Sequence, residues 1–426
     1  MNPSICEHCS TEEPPPGPPQ RARVAVFFDG TGNNRSNARA GNRSDASYGS
    51  APSNVAKGEE NMDDYPDVDN EGYHYYIEGI GTRTGGTDVP QGMVEGRGIT
   101  GVTAKMRRGI ARVISDVGQL DVNRPIERVE IDAFGFSRGA AAARFFVHVA
   151  LHDHRRNIKK QLEDLGFTVE EVVVKFVGLY DTVASHGFNH DTDTAELKLD
   201  AIKDAEYTFQ LAAGDEHRAN FRLTDIQSAG GGRQVFLPGV HSDIGGGYND
   251  FGAETDHQVV DLDMNLSATL RRDQASVRRE RRWLIDRGWY RASELDETNF
   301  FWEIHANRRN IRNTYANVAL NMMADEARPQ GVPFKGSLSA FHPIPGDPNV
   351  RAVLALVDAS IGAGNEAKDG SWRDYWLQMR HPALNAVRHQ YFHMSSRFEE
   401  SVGAHAPNYT AHPSEGGVRQ RVVQRG

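Results

Sequence analysis

The sequence predicts an α/β fold, a mainly parallel sheet flanked by helices. Two observations carry this. Short apolar runs at Val24–Phe28, Tyr73–Ile80, Arg128–Phe134, Val172–Tyr180 and Gln234–Val240 are separated by helical patterns or long excursions, the alternation that builds parallel sheets. Gly135-Phe136-Ser137-Arg138-Gly139 then stands between one of those runs (VEIDAF) and a small-residue helix (AAAARFF), the setting of a strand-to-helix elbow that exposes a serine. The expected fold is therefore α/β-hydrolase-like, with a helical insertion or cap after the candidate histidine, His241.

Residues 1–20 read as a disordered tail ending in the proline-rich TEEPPPGPPQ, a composition that stays extended. Cys6 and Cys9 flank His8 in a C-x-x-C. A structural zinc site needs four ligands, and no second Cys or His pair follows nearby. Residues 21–254 form the expected catalytic core. Val24–Phe28 ends in the glycine-rich DGTGNN, and residues 33–72 are a polar excursion with room for one short helix. Val102, Met106, Ile110, Val113, Ile114 and Val117 fall at steps of three and four, which predicts an amphipathic helix over 101–118. Ala140–Leu151 is apolar on every side, as a helix buried against a sheet is. Residues 255–312 are charge-rich and predicted helical, 313–402 complete the core with helices such as ANVALNMMADEAR, and 403–426 read as a polar, frayed tail.

With 426 residues, 38% hydrophobic and 25% charged, the chain has a globular composition and the length for one large domain with insertions, or for two. A formal net charge of -10 speaks against general nucleic-acid binding and against broad attraction to anionic membranes. No run nears the ~18 apolar residues of a membrane span. Met1–Ser10 also lacks a basic region followed by an apolar stretch. The expectation is synthesis in the cytoplasm without a signal peptide, with a specialised machine as carrier if the protein works elsewhere.

Ser137 is the candidate nucleophile. A serine hydroxyl attacks poorly unless it is held beside a base, and Gly135 and Gly139 let strand and helix backbones pass closely. Such an elbow needs an acid and then a histidine later in the chain. Asp181 follows the strand ending Gly178-Leu179-Tyr180, at the edge where parallel sheets build their sites; its alternative is a helix N-cap. His241, in PGVHSDIGGGY, follows another strand. Rival bases among the 17 histidines are His186, His342 and His393. Asp29-Gly30-Thr31-Gly32 ends the first strand. An N–H of Gly30 or Thr31, together with that of Arg138, would then form an oxyanion hole. No Walker lysine follows these glycines, and no cofactor is implied. Asp29, Asp243 and His241 could instead bind a metal, although they lack the spacing of a strong metal motif.

FFDGTGNN, GFSRGAA, LYDTVAS and PGVHSDIGGGY, in that order over roughly residues 22–250, resemble the catalytic domain of type VI secretion lipase effectors of the Tle1-like group. Weaker echoes stand at ANVALNMMADEARPQGVPF and AHAPN. The resemblance implies an antibacterial phospholipase that attacks glycerophospholipids at the membrane surface of rival cells. It implies delivery into the target periplasm by a contractile machine with a spike protein as carrier, and neutralisation in the producer by an immunity protein. It also implies Ser137 as nucleophile, Asp181 as acid and His241 as base. LYDTV departs from the family pattern, in which a tryptophan often precedes the aspartate.

Two other readings stay open: a non-catalytic scaffold or binding protein of the same fold, and a metal-dependent phosphoesterase built on Asp29, Asp243 and His241. Residues 270–290 look like an insertion. They carry Arg271, Arg272, Arg278, Arg279, Arg281, Arg282 and Arg287, with Leu270, Val277, Trp283, Leu284, Trp289 and Tyr290 interleaved. Such a helix can lie at a bilayer interface, pack its apolar side on the core, or dock a carrier or immunity protein.

Overall fold

Five apolar runs seen in the sequence, and one strand that is not, line up side by side. The structure is a computed structural model that describes residues 17–90, 92, 98–184, 194–261, 270–298, 303–399, 406–410 and 417–426. Its main sheet comprises β1 (Gln20–Phe28), β2 (His74–Ile77), β3 (Ile126–Phe136), β4 (Val169–Tyr180), β5 (Ala205–Ala213) and β6 (Gly232–Leu237). All are parallel, in the spatial order β2-β1-β3-β4-β5-β6. The chain reverses its direction of travel across the sheet between β1 and β3. That switch point, at the carboxyl ends of the strands, is where open α/β sheets form crevices.

The helices that bear on the site are α1 (Asn54–Glu60), α2 (Val102–Val117), α3 (Arg138–His152), α4 (His241–Gly245), α5 (Leu270–Asp286) and α6 (Ala316–Ala327). In β1, Val24, Val26 and Phe28 turn to one face while Ala25 and Phe27 turn to the other, and all five are buried. A strand covered on both faces needs this unbroken apolar run. The first face is closed by α2 and α3 through Met106, Ile110, Val113, Ala141, Phe146 and Val147. On the second face, Val318, Leu320 and Met323 of α6 join the cluster built on Phe27 and Phe134, whose rings stack 4.4 Å apart.

The strand missing from the sequence reading is β5. Thr208 and Gln210 interrupt its apolar pattern, yet both are fully buried. Gln210 donates to the Thr224 carbonyl at 3.0 Å and to Gln234 Oε1 at 2.5 Å, and its Oε1 accepts from the Thr182 hydroxyl. A satisfied amide can occupy a central strand without the cost of an orphaned polar group.

Residues 255–312 are only partly helical, contrary to expectation. α5 is framed by β7 (Gly252–Asp261), β8 (Leu295–Thr298) and β9 (Glu303–Ile311). With β10 (Phe398–Glu399) these strands form a second sheet in the order β10-β7-β9-β8. Charge hides the pattern. Ile304, Ala306 and Arg308 are buried at every second position of β9, and Arg308 spends its guanidinium on Glu254, at 3.0 and 3.1 Å, and on the Phe392 carbonyl. α5 turns its apolar side inward: Val277 and Leu284 are buried, as is Trp289 beyond its end, while Arg278 and Arg282 face solvent.

The reading of 403–426 as a frayed tail fails over 417–426. Val423–Gln424 pairs in parallel with Leu223–Thr224, and Arg419 and Arg421 are buried. At the other end, Gln20 opens β1. Cys6, His8, Cys9, His186 and the side chains of Leu270, Arg271 and Arg272 lie outside the described residues. Among the described residues, no helix is long and apolar enough to cross a membrane.

Candidate active site

Ser137 follows the last residue of β3 and begins the turn into α3 with φ 58° and ψ −127°. A non-glycine residue there carries on the order of 1–3 kcal/mol of strain, which persists only where its surroundings over-determine it. Here they do. The Ser137 N–H donates to the Tyr180 carbonyl at 3.0 Å, and its carbonyl accepts from Ala140, Ala141 and Val183. The flanking glycines act as the motif implies. A Cβ on Gly139 would lie 2.3 Å from the Asp29 carbonyl oxygen, and one on Gly135 would lie 2.5 Å from Ala140 Cα.

Those bonds tie the elbow to the turn after β4, where Asp181 sits with φ 45° and is fully buried. Asp181 caps no helix. Its Oδ2 lies 2.6 Å from His241 Nδ1, and its Oδ1 accepts the Ala213 N–H at 2.9 Å. A carboxylate can only accept here, so Nδ1 carries the proton and Nε2 is the basic nitrogen. His241 opens α4 beyond β6. Its ring lies against Phe136, the neighbour of Ser137, with centroids 4.6 Å apart, and Phe221 meets it edge-on at 5.1 Å. Burial lowers the His241 pKa below the usual imidazole value; the hydrogen bond and charge of Asp181 oppose this, and the charge of Arg218 adds to it. The ring is thereby neutral near pH 7. Ser137, Asp181 and His241 all stand beyond the carboxyl ends of β3, β4 and β6, on one edge of the sheet.

The oxyanion candidates fare unequally. The Gly30 N–H is committed to Asp29 Oδ1 at 2.7 Å. The Thr31 N–H meets no acceptor among the described residues, and the Thr31 hydroxyl accepts from Arg138 Nε at 2.8 Å. The loop after β1 and the residue after Ser137 are thus joined. Asp29 braces that loop. Burial raises its pKa, against hydrogen bonds from Ser53, Tyr76, Gly30 and Asn33. Asp243 takes the Val240 N–H at 3.0 Å and His393 Nδ1 at 3.0 Å. Among the described residues, Asp29, Asp243 and His241 do not converge, and no three His, Cys, Asp or Glu side chains are grouped to hold a metal ion. His342 lies elsewhere, 3.2 Å from the Asn61 amide.

The family model for the catalytic domain of Tle1-like phospholipase effectors of the type VI secretion system matches residues 22–153 and 149–268. The chain belongs to this family. Among solved structures, a Tle1 effector bound to the VgrG spike of the type 6 secretion system is similar at TM-score 0.64 and 22% identity, over 96% of this chain and 95% of that one. This likeness bears out the fold. An uncharacterized Pseudomonas aeruginosa protein is similar at TM-score 0.40 and 16% identity, over 87% of this chain and 52% of that one. Among curated proteins none matches.

In this Tle1-like chain the surroundings of His241 include residues that no motif marks. Glu216 Oε2 lies 3.3 Å from the His241 N–H, and Arg218 grips Glu216 through Nε at 2.9 Å and Nη2 at 2.8 Å. The Arg218 guanidinium also covers the Phe221 ring. Arg421 reaches Asp181 from far along the chain, 3.0 Å from Oδ2. Glu216 and Arg218 follow β5, the strand the sequence hides, so they carry no visible position. Arg421 lies outside the family match.

Proposed function

We propose that this Tle1-like chain hydrolyses carboxylic esters of glycerophospholipids with Ser137 as nucleophile, His241 as base and Asp181 as the acid that orients His241. One observation carries the reading: a strained, elbow-held serine directly follows Phe136, whose ring packs on a neutral histidine with its Nδ1 fixed on a buried carboxylate. Nε2 of His241 takes the Ser137 proton as the oxygen attacks the ester carbonyl. Asp181 stabilises the imidazolium that forms. The Thr31 N–H, with the backbone N–H of Arg138, receives the oxyanion; the commitment of Gly30 to Asp29 favours Thr31 over Gly30. His241 returns its proton to the leaving alcohol, and water then releases the acyl-enzyme by the same route.

Family membership supports export by the type VI system. The spike-bound state of the similar Tle1 effector supports a spike protein as this chain's carrier. Antibacterial action in the target periplasm and a cognate immunity protein complete the proposal. The test is purified protein on vesicles of defined phospholipids beside Ser137→Ala, with labelling by a fluorophosphonate probe. Fatty-acid release and labelling should both vanish in Ser137→Ala. Undiminished release from the folded variant refutes the serine mechanism, and loss of wild-type activity on chelation would favour a metal-dependent phosphoesterase.

A further inference from the structure

Arg421 is 1% exposed, and its hydrogen bonds form a closed ring around the Asp181 carboxylate. Nη2 lies 3.0 Å from Asp181 Oδ2, the oxygen that His241 Nδ1 also meets. Nη1 donates to the Ala213 carbonyl at 2.7 Å, while the Ala213 N–H donates to Asp181 Oδ1 at 2.9 Å. Nη2 also reaches the Phe221 carbonyl at 3.1 Å, behind the ring that packs on His241. Guanidinium, peptide and carboxylate are thus held in one arrangement.

The backbone delivers this side chain. The Arg421 N–H donates to Asp374 at 2.8 Å, the Leu223 N–H donates to the Val422 carbonyl at 2.9 Å, and the Asp225 N–H donates to the Gln424 carbonyl at 3.0 Å. Residues 421–424 therefore lie as a strand along 223–225, and Arg421 arrives with little freedom left to lose.

A fully buried carboxylate, paired with an imidazole that itself packs between Phe136 and Phe221, needs more than that one neutral partner. Burial pushes the Asp181 carboxyl up. The Arg421 charge is the foremost opposing influence, followed by His241 and the Ala213 N–H, and the result lies below the usual carboxylate range. Removing one partner of such a pair leaves a charge buried without compensation.

We propose that Arg421 is a positioning residue of the hydrolytic site, acting through Asp181 to fix the plane and charge of the carboxylate that orients His241. The inference rests on Ser137, Asp181 and His241 acting together as proposed above. Two effects follow from deleting the cation. Asp181 accepts a proton at higher pH, and the His241 imidazolium, relieved of a nearby positive charge, forms at higher pH. Both move the acid limb of kcat/KM upward. The other charged groups facing the pair, Arg218 and Glu216 with His217 behind them, stay in place and cannot mimic the change.

The experiment measures kcat and KM on a soluble short-chain phospholipid from about pH 5 to 9 for wild type, Arg421→Met, Arg421→Lys and Asp181→Asn, with folding checked by circular dichroism and melting. Arg421→Met should lose roughly 10–100-fold in kcat, the scale for a group that orients an active-site side chain through one bond. Its KM should change little, and its acid limb should move up. Arg421→Lys should recover most of kcat and the wild-type limb. If Arg421→Met does not fold, Arg421→Gln keeps a donor for the Ala213 carbonyl without the charge and carries the same expectation. A folded Met or Gln variant with wild-type kcat overturns the proposal. So does a loss of kcat with an unmoved limb and no rescue by lysine, the signature of a strand anchor alone. Wild-type activity in Asp181→Asn instead overturns the triad reading beneath it.

Discussion

Two histidines converge on the segment around Asp243, and their partners assign them different work. His241 gives Nδ1–H to Asp181 and keeps Nε2 as its base. His393 places Nδ1 3.0 Å from Asp243 Oδ1 and stacks on Tyr248 with centroids 3.8 Å apart. The other Asp243 oxygen accepts the Val240 N–H, immediately before His241. His393 therefore braces the segment that presents His241. His241→Ala should cost on the order of 10⁴-fold or more in turnover, whereas His393→Ala should stay within about tenfold of wild type and lower the melting temperature, since its loss is one of packing and hydrogen bonding. A folded His393→Ala as inactive as His241→Ala would move the base assignment. The residues of the proposed chemistry were legible because each sits in a short motif at a strand end. Arg421 was not. It falls in the stretch read as a polar, frayed tail, and its meaning depends on a chain path that no local pattern encodes.

At the scale of elements, α5 shows how composition misdirects. Arginines alternating with tryptophans suit a bilayer surface, but the rings here are occupied. Trp289 is fully buried, and Trp283 stacks on it with centroids 6.5 Å apart and lies under the Arg419 guanidinium at 4.0 Å. Among the described residues of α5, Arg278 and Arg282 are the arginines most open to outside contact. Trp289→Ala should cost about 3–5 kcal/mol, the range for emptying a large core site, and leave the affinity of the folded fraction for anionic vesicles unchanged. Cosedimentation and melting measured on the same samples decide it; weakened vesicle binding at unaltered stability would put Trp289 at the membrane. The parallel sheet was readable strand by strand except for β5, whose buried Gln210 is explained by hydrogen-bond partners from three other segments and not by its own pattern.

At the scale of the whole molecule, one buried network joins stretches far apart in sequence. His217, four residues past β5, accepts at Nε2 from Arg419 and meets Ser396 Oγ at 2.6 Å, while its Nδ1–H donates to the Asp215 carbonyl at 2.7 Å. Arg419 continues to Glu280 of α5, which also takes the Tyr409 hydroxyl at 2.8 Å. The network binds the main sheet, α5 and the residues leading to Arg421 into one body, and it accommodates only neutral His217. Burial, then the Arg419 charge, lower its pKa to about 3. Unfolding releases a histidine that titrates near 6.5. Between those values the unfolded chain binds the extra proton, so stability rises with pH across the window; this contribution is complete above about 6.5 and is lost progressively as pH falls toward 3. The slope from one such group is at most about 1.4 kcal/mol per pH unit. His217→Gln, which does not titrate, should flatten the dependence of the urea midpoint on pH between about 6.5 and 4 relative to wild type. The buried carboxylates held low, Asp181 and Glu216, act mainly below about pH 5, where the unfolded carboxylates take up protons, while His241, His148 and His342, also held low, add to the slope equally in wild type and variant, so the difference between the two slopes reports His217. Parallel wild-type and variant slopes above about pH 5 would mean that His217 is not what ties the acid stability of this fold to its buried network.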